Sequence, residues 1–512
     1  MGSPLQMSGG IPGLADLQQK LVQQARSSLF GFIGPTYTSQ SAAADGERCV
    51  NLYLESIESG HGVNAAYLCS APGKQLLATV PDAPIRCIFL EPDSGRVFAV
   101  CGQALYELLP TTQNKIGNIP ATQSAANIVS NGKQLFISNG NGYIFDLTAN
   151  TLSPITADGF SGSSVGGYLD GYFIAVTPGS AQFNLSALYD GTQWSGLDFA
   201  LVEGGSGAIT GMVVDHKLVW FFKEGLIEVW YDAGAQDFPY QPIPGAVIEQ
   251  GCASGQSIAQ LDNSIFWLNY NNRGEGIVWR SNGWVPVRVS NHAIENMIRQ
   301  WPQVHDVVAF AKEDNGHTFY QMYSPSGNQT LVYDCATAQW HEKTSVINGV
   351  EQADRALCHC WCYGQHVVGD RLNGNFYKES LDVYTDNGVN IRRWRSAPHI
   401  NTEMRNTFFH RLELRMQTGI IPDSVLQQWE SDIANGLRKD LFPHISLQVS
   451  NDGGNHWGNE HIISAGPIGN GLYRVIWRLL GAARDRCYRV IYTEPTQCFF
   501  IDAYSRATVG NS

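Results

Sequence analysis

Short hydrophobic runs alternate with turn-forming residues along most of the chain. From about residue 65 onward, each apolar run is closed by Gly, Asn or Asp and is followed by a second apolar run. An apolar strand, a Gly- or Asn-containing turn and a second apolar strand together predict a β-hairpin. Seven predicted hairpins begin at Val97, Leu135, Phe173, Leu218, Ile265, Thr318 and His366.

The spacing of these hairpins is typical of a repeat architecture. Their starts lie 38 to 53 residues apart, close to the ~40–50 residues of a propeller blade. No WD or kelch signature accompanies the repeat. A small sheet cannot bury both of its faces alone, however, and radial stacking of such sheets buries them. The pattern therefore predicts an all-β fold with a β-propeller of about seven blades, six to eight being possible.

Two segments break the strand pattern with helical periodicity. In residues 14–29 the leucines fall on one face, which predicts a short N-terminal helix behind a Gly- and Pro-containing arm. Such a narrow apolar stripe needs a partner, either the helix's own domain or a neighbouring subunit. Residues 290–301 predict a second short helix, with Ser290 or Asn291 as its N-cap.

The pattern changes again after Asn387. A strand-like alternation starts at Phe408, residues 423–440 look helical and polar, and further strands follow. This arrangement predicts a separate β-sandwich-like domain. We therefore expect an N-terminal helical arm (1–33), a β-propeller (34–390) and a C-terminal β-sandwich-like domain (391–512) with a helical insertion near 423–440.

Composition narrows the functional classes. Charged residues make up 15% of the 512 residues and Gly contributes 53, which favours tight turns between strands. The net charge of −13 excludes DNA binding by bulk electrostatics, but it suits a wall along which DNA slides. The 11 cysteines are scattered and odd in number, which indicates buried free thiols in a reducing compartment. We expect neither a signal peptide nor a membrane span, because the N-terminus has no basic and apolar regions and no run of ~18 apolar residues occurs.

One turn motif hints at enzyme chemistry. Residues 450–457, SNDGGNHW, fit the S-x-D-x-G-x-x-W pattern of an Asp-box, in which Ser and Asp side chains close a hairpin on local backbone. Sialidases carry such boxes, which raises a propeller glycosidase or sialidase as an alternative. The box is a folding device that sits away from those active sites, so a single copy favours a structural role.

Three cysteines, Cys358, Cys360 and Cys362, alternate at strand spacing. All three thiols then share one face, with His359 and Trp361 on the other. Zinc sites usually use C-x-x-C knuckles and a fourth ligand. A buried inner propeller strand is therefore favoured, and metal binding stays open as the alternative. No H-E-x-x-H, P-loop or G-x-S-x-G motif occurs, and we expect no catalytic, cofactor-binding or metal residues.

Arginines are concentrated in two places of this acidic chain. These clusters either meet acidic partners or form solvated and internally paired faces. The first cluster is Arg392, Arg393 and Arg395, and the second is Arg474, Arg478, Arg484, Arg486 and Arg489.

Three blocks of sequence, in this order, resemble one known family. The second block is RWRSAPHI (393–400), and the third combines SNDGGNHW with VIWRLLGAARDR (475–486) and the strands up to Ala503. The first block, residues 34–55, has Leu54 where the family often has Pro, and it carries the matching residues Gly34, Tyr37, Ser41, Arg48, Asn51, Leu52, Tyr53 and Glu55. Together the blocks bracket nearly the whole chain and resemble the packaged-DNA stabilisation proteins of short-tailed phages, also called tail accessory, hub or nozzle proteins.

The resemblance implies a structural protein of the virion tail, made in the cytoplasm of the bacterial host. Members of the family are propeller proteins that form a homo-oligomeric ring, usually of six copies, below the portal and its head–tail adaptor. They close the DNA exit after packaging, hold needle, spike or fibre proteins, and let double-stranded DNA pass without sequence-specific binding. The resemblance transfers no catalytic residue and no cofactor.

Two alternatives stay open beside this hypothesis. One is the propeller glycosidase or sialidase, and the other is a carbohydrate-binding propeller without catalysis. A sialidase needs an arginine cluster and a Tyr nucleophile on facing blades. The densest arginines of this chain lie in the predicted C-terminal domain instead, which argues against that alternative.

Overall fold

The protein forms two compact units. A computed structural model describes residues 27–29, 31–41, 43–59, 65–271, 273–419, 421–467, 469 and 471–510. The first unit, called here the sandwich unit, combines the chain up to Ser70 with the segment from Arg393, and the second, the propeller unit, comprises Ala71–Arg392. Among the described residues, no helix has both the length and the apolar character needed to cross a membrane.

The N-terminal segment differs from its predicted structure. Residues 14–26 of the predicted helix lie outside the described residues. Ser27–Leu29, predicted as its last turn, form strand β1 instead, because they pair with residues 504–506 of a sheet strand. The strands that follow are β2 (Arg48–Val50), β3 (Leu52–Ser56) and β4 (Ala66–Ser70).

These strands also explain where the propeller unit begins. The predicted propeller starts at residue 34, whereas the compact unit starts at Ala71. The reason is pairing across a long sequence distance, since β2 pairs with residues 394–396 and β4 with residues 499–500. Hydrogen bonds to the distant C-terminal strands therefore assign this segment to the sandwich unit.

Seven four-stranded antiparallel blades make up the propeller unit in the part of the chain that the structure describes. Strand β5 (Gly73–Thr79) comes first in the sequence and belongs to the last blade. Blade one contains β6 (Ile85–Leu90), β7 (Val97–Cys101), β8 (Ala104–Leu108) and β9 (Gln113–Asn118). Blade two contains β10 (Asn127–Ser130), β11 (Gln134–Ser138), β12 (Gly142–Asp146) and β13 (Thr151–Pro154). Blade three contains β14 (Gly166–Leu169), β15 (Tyr172–Val176), β16 (Gln182–Ala187) and β17 (Asp190–Leu201).

The remaining blades follow the same order. A 3-10 helix (Gly255–Ser257) precedes blade five, helix α1 (His292–Arg299) precedes blade six, and a hairpin of β30 (Thr344–Ile347) and β31 (Val350–Ala353) precedes blade seven. Blade four contains β18 (Gly211–Asp215), β19 (Leu218–Phe222), β20 (Ile227–Asp232) and β21 (Tyr240–Ile248), and blade five contains β22 (Ala259–Leu261), β23 (Ser264–Tyr270), β24 (Gly276–Asn282) and β25 (Val285–Arg288). Blade six contains β26 (Val308–Asp314), β27 (His317–Ser324), β28 (Gln329–Asp334) and β29 (Gln339–Glu342). Blade seven contains β32 (Ala356–Cys362), β33 (Gln365–Asp370) and β34 (Asn375–Ser380) together with β5, and β35 (Thr385–Asp386) and β36 (Val389–Asn390) follow it in the sequence.

The predicted hairpins coincide with the middle of each blade. Every predicted start, from Val97 to His366, lies within one residue of the start of a blade's second strand. The predicted helix at 290–301 is also confirmed as α1, whose N-cap Asn291 accepts a hydrogen bond from the Ile294 backbone N–H at 3.0 Å. Between neighbouring blades, apolar faces pack as expected for radial stacking, for example where Phe183 of blade three stacks on Phe221 of blade four at 4.4 Å.

The sandwich unit consists of two sheets that enclose one core. Its C-terminal strands are β37 (Arg393–Ser396), β38 (Ile400–Asn401), β39 (Thr407–Gln417), β40 (His444–Ser450), β41 (His461–Ser464), β42 (Tyr473–Arg478), β43 (Ala482–Ala483), β44 (Asp485–Tyr492) and β45 (Phe499–Val509). One sheet has the order β3–β4–β45–β39–β42, and the other contains β2, β37, β44, β40 and β41 in that order. Leu412, Trp477, Tyr488 and Phe500 are buried between the two sheets.

The predicted helical insertion near 423–440 is present but shorter. Helix α2 spans Asp423–Ala434 and ends before Gly436, whose φ of 72° leaves the helical region. The helix buries Trp429, and the Arg438 guanidinium lies 3.7 Å from the centre of that indole ring.

Candidate functional sites

The propeller is closed by strands from its two sequence ends. Strands β32, β33 and β34 of blade seven come from the end of the unit, and β5 from its start completes the blade as the outermost strand. The pairing runs antiparallel from Gly73 opposite Ser380 to Thr79 opposite Asn375. Main-chain hydrogen bonds to one strand therefore hold the ring of blades shut.

A buried ion network accompanies this closing strand. Lys74 of β5 is only 3% exposed, and its ammonium nitrogen lies 2.6 Å from Asp354, 3.8 Å from Glu379 and 3.9 Å from Asp386. Glu379, on β34, also accepts from Lys312 at 2.7 Å and from Lys343 at 2.6 Å. Buried charges of this kind are stable only when each has counter-charges and hydrogen bonds.

The electrostatics of the network depend on all of its members. Burial alone would lower the pKa of Lys74, but the neighbouring carboxylates outweigh burial and hold that pKa above the usual lysine value. Burial alone would raise the pKa of Glu379, yet the three ammonium groups hold it well below the usual value. Burial lowers the pKa of Lys343, because Glu379 and Asp354 compensate it only in part while the ammonium groups of Lys74 and Lys312 oppose them.

The sequence analysis missed this network. Its members come from distant segments, and their carboxylates resemble ordinary strand-end residues in the sequence. A signal was present in one lysine: Lys312 follows the apolar run VAFA (308–311) at a position where a half-buried strand normally places an apolar side chain. Only the ring of blades brings the members together around Glu379.

The first strands of the blades surround the propeller axis. Two adjoining cavities of about 600 and 950 Å³ lie along it. Arg86 lines both, and its guanidinium donates to four backbone carbonyls, those of Gly102, Gln123, Ser124 and Ala125. The arginine thereby ties blade one to the loop that leads into blade two.

The alternating cysteines lie on the innermost strand of blade seven, β32, as predicted, but the strand is only partly buried: Cys362 is buried, whereas Cys358 and Cys360 are half-buried. Cys358, Cys360 and Cys362 all pack into the apolar cluster between blades seven and one, while His359 on the opposite face stacks on Phe310 at 5.9 Å. Burial raises the pKa of Cys358 well above the usual thiol value. Within the described ranges, no group of three or more His, Cys, Asp or Glu residues could hold a metal ion.

The Asp-box acts within its own loop, between β40 and β41. Asp452 accepts hydrogen bonds from the Ser450 hydroxyl at 2.7 Å and from the His456 backbone N–H at 2.9 Å. These bonds and the nearby His456 ring hold the pKa of Asp452 below its usual value. Trp457 packs against the Arg489 guanidinium at 3.9 Å. The side chains that raised the glycosidase alternative are thus used to fold a turn.

The first arginine cluster divides between the two units. Arg392 belongs to the propeller unit, where it pairs with Glu351 at 3.3 Å. Arg395 of the sandwich unit is fully buried and donates to the Phe32 and Pro35 carbonyls, both at 3.0 Å, and to Glu47 at 2.6 Å. Arg393 is buried as well and donates to the Ser70 hydroxyl and the Glu494 carbonyl. Both buried arginines therefore fasten the N-terminal segment to strand β37.

The second arginine cluster is partly internal and partly exposed. Arg486 is buried and donates to Asn451 and to the Leu480 carbonyl, both at 2.8 Å. Arg474 pairs with Glu413 at 2.7 Å. Arg478 and Arg484 are exposed. The prediction of internally paired arginines thus fits most of the two clusters, and these two exposed side chains are available to a partner.

Comparison with known proteins places both units in one family. The family model of the bacteriophage P22 Gp10 β-propeller matches residues 37–383, and the model of the Gp10 β-sandwich matches residues 392–508. A search of curated proteins found no match.

Similar solved structures include the computationally designed Ika8 protein, at 14% identity and a TM-score of 0.37, covering 65% of this chain and 99% of that chain. A chain of a mitotic checkpoint complex is 10% identical with a TM-score of 0.39, covering 64% of this chain and 97% of its own. A chain of an S. cerevisiae complex of dbp5, nup159 and gle1 is 7% identical with a TM-score of 0.39, covering 60% and 95%. These likenesses carry no weight for function. The two family models cover most of the chain, and the protein belongs to the family of bacteriophage P22 Gp10, phage tail proteins that stabilise packaged DNA.

Proposed function

We propose that this protein closes the portal channel of a short-tailed phage after packaging, retains the packaged DNA and forms part of the conduit for its ejection. The observation that carries the proposal is the match of both of its units to the two domains of one tail-protein family. The partners follow from the same resemblance: other copies in a ring, usually of six, the head–tail adaptor below the portal, and needle, spike or fibre proteins.

The closed propeller supports a role as a wall segment. A wall around a DNA channel has to keep its shape. A propeller opens where its first and last strands meet, so its resistance to opening depends on the contacts that close the last blade. Here the seal combines the main-chain pairing of β5 with the buried ion pair between Lys74 and Asp354. Removing either partner of such a pair is strongly unfavourable, so the seal supports a rigid unit.

The distribution of charge supports passage of DNA without tight binding. Residues 71–392 contain 17 Lys and Arg against 30 Asp and Glu, whereas the rest of the chain contains 16 of each. The whole net charge of −13 therefore belongs to the propeller unit. A surface of this sign repels the phosphate backbone and does not read base sequence.

The thiols suit synthesis in the host cytoplasm followed by assembly into the virion tail. All 11 cysteines are free, as in proteins that fold in a reducing compartment. We further propose that the protein has no enzymatic activity, since the Asp-box and most of the arginines already serve the fold. Hydrolysis of a sialoside or another glycan by the purified protein would contradict this part of the proposal.

The function can be tested in the phage itself. Particles made without this protein are expected to package DNA and then lose it, because nothing seals the exit. The measurement is the amount of nuclease-resistant, full-length DNA per capsid, with the wild-type protein supplied in trans as the control. Particles that keep their full DNA content without the protein would overturn the proposal. Electron cryo-microscopy of complemented particles tests the position of the ring below the adaptor.

A further inference from the structure

The outermost strand of blade three exposes an apolar stripe. Strand β17 is the edge of its sheet, and its last residues alternate between two environments. Ala200 and Val202 pack into the blade's own core. Leu197, Phe199 and Leu201 face the solvent, with Leu197 86% exposed. These three residues are called the stripe. Long exposed apolar edge strands are rare in proteins that stay alone, because the strand edge invites pairing with another chain.

The sandwich unit exposes a second apolar surface, with positive charge. Leu479 is 94% exposed, and Met404 and Phe408 are exposed as well. Two hydrogen bonds hold their segments together: the Leu479 N–H donates to the His410 carbonyl, and the Arg484 guanidinium donates to the Met404 carbonyl. These three apolar residues, with Arg478 and Arg484, are called the tip. Neither arginine forms an ion pair with any residue that the structure describes.

The backbone of the tip is strained where it presents its apolar side chains. Leu479 has a φ of 56° and Met404 a φ of 57°. This left-handed region is costly for bulky residues and is kept mainly where function requires it. A leucine that is both strained and almost fully exposed contributes nothing to its own core. The tip is therefore built to contact something outside its own unit.

Charge selects the occupant of each surface. Glu203, which is exposed and lies two residues after Leu201, continues the face of the stripe, and the stripe belongs to the unit that holds all of the chain's net negative charge. Other outer strands also expose apolar side chains, among them β25 with Val285 and Val287 and β5 with Leu76 and Leu77. Strand β5 contains no acidic residue, and β25 carries Arg288, which pairs with Glu295. The tip is apolar and positive, so its charge complements the stripe, which continues into the acidic Glu203.

We propose that the tip of one copy packs on the stripe of a second copy. The contact joins different surfaces of two identical chains, and repetition of such a contact closes into a ring when the rotation allows it. The inference rests on the proposed ring and names the surfaces that form it.

Crosslinking of singly substituted chains tests the contact directly. Full-length Leu479→Cys and Leu197→Cys proteins are mixed and treated with a short bismaleimide. We expect a crosslinked dimer in the mixture that neither protein forms alone, because each contact pairs one tip with one stripe. Leu437→Cys replaces Leu479→Cys in the matched control, since Leu437 is an exposed leucine of the same unit outside the tip. Wild-type protein reports any background from the native thiols.

Charge reversal tests the complementarity by sedimentation velocity. Arg478→Glu and Glu203→Arg are each expected to abolish self-association, and the two changes together in one chain are expected to restore it. Two results would overturn this interface and leave the proposed ring standing: both single charge variants still form rings as the wild-type protein does, or rings form but the Leu479→Cys and Leu197→Cys chains do not crosslink. A wild-type protein that stays monomeric would overturn both. If the tip crosslinks to an adaptor protein and not to a second copy of this chain, the proposal that the tip binds a second copy would be wrong.

Discussion

The buried lysine of the closing strand offers the sharpest test of how the propeller is held shut. Replacing Lys74 with Met keeps the length and the apolar part of the side chain but removes its charge. Asp354 would lose a counter-charge at 2.6 Å, and Glu379 and Asp386 would lose one within 4 Å. None of these carboxylates can reach solvent, because all three are almost fully buried.

The expected cost follows from the burial of the partners. Breaking a buried ion pair by removing one member costs about 3–5 kcal/mol, because the remaining charge stays buried without compensation. Glu379 keeps Lys312 and Lys343, so most of the loss falls on Asp354. We therefore expect Lys74→Met to lower the free energy of unfolding by about 3 kcal/mol, the lower end of that range. Asp354→Asn added to the same chain should recover part of this loss.

The measurement combines urea unfolding with amide hydrogen exchange of strand β5. Exchange of residues 73–79 is expected to speed up in Lys74→Met before the rest of the unit is affected, because this strand seals the ring. Lys378→Met is the matched control, since Lys378 lies on the neighbouring strand of the same blade but is only half-buried. Equal stability and equal exchange in the two variants would refute the argument, and so would a double variant no more stable than Lys74→Met.

Three further predictions concern the rest of the molecule. Arg395→Lys should destabilise the sandwich unit by about 3 kcal/mol, because an ammonium cannot replace a guanidinium that binds two carbonyls and a carboxylate. Faster amide hydrogen exchange of residues 31–36 in this variant would show the loss, and unchanged exchange would contradict it. Asp452→Ala should open the Asp-box loop and speed proteolysis within residues 451–458, whereas cleavage at the wild-type rate would mean that the box is dispensable. Burial lowers the pKa of His341 to about 3, so the unfolded chain binds a proton there below pH ~6.5 while the folded chain stays neutral. The free energy of unfolding should therefore fall by up to about 1.4 kcal/mol per pH unit on acidification from pH 6.5 toward 4.5, and His341→Gln should flatten this slope; a parallel slope in that variant would refute the assignment.

Local pattern was sufficient to predict the blades. The pattern of an apolar strand, a tight turn and a second apolar strand is recognised within one short segment of sequence. The two middle strands of every blade form such a segment. The hairpins at Val97 and Leu218, for example, start at the first residue of their strands. The Asp-box was equally predictable, because the hydrogen bonds of its Ser450 and Asp452 side chains lie within one loop.

Contacts between distant segments could not be predicted in this way. The sequence around Ser27–Leu29 has a helical pattern, yet these residues pair as a strand with residues 504–506, because β4 pairs only with residues 499–500 of that strand and leaves backbone hydrogen bonds for β1 farther along it. Lys74 and Glu379 meet only because β5 returns to the last blade. Arg395 belongs to a cluster for which the sequence left contact with acidic partners, solvation and internal pairing open, and it is fully buried.

The sequence by itself determined the type of the repeating unit and its approximate number, about seven with six to eight possible, since these follow from the period of apolar residues. The structure decided that the number is seven in the described part of the chain. Only the tertiary structure decided which strand seals the propeller, which charges are buried beside that strand, and which apolar residues are left exposed on the stripe and the tip. The physical reason is that pairing and burial of charge depend on distances in space, and neighbours in this fold are separated by up to several hundred residues, as Lys74 is from Asp354.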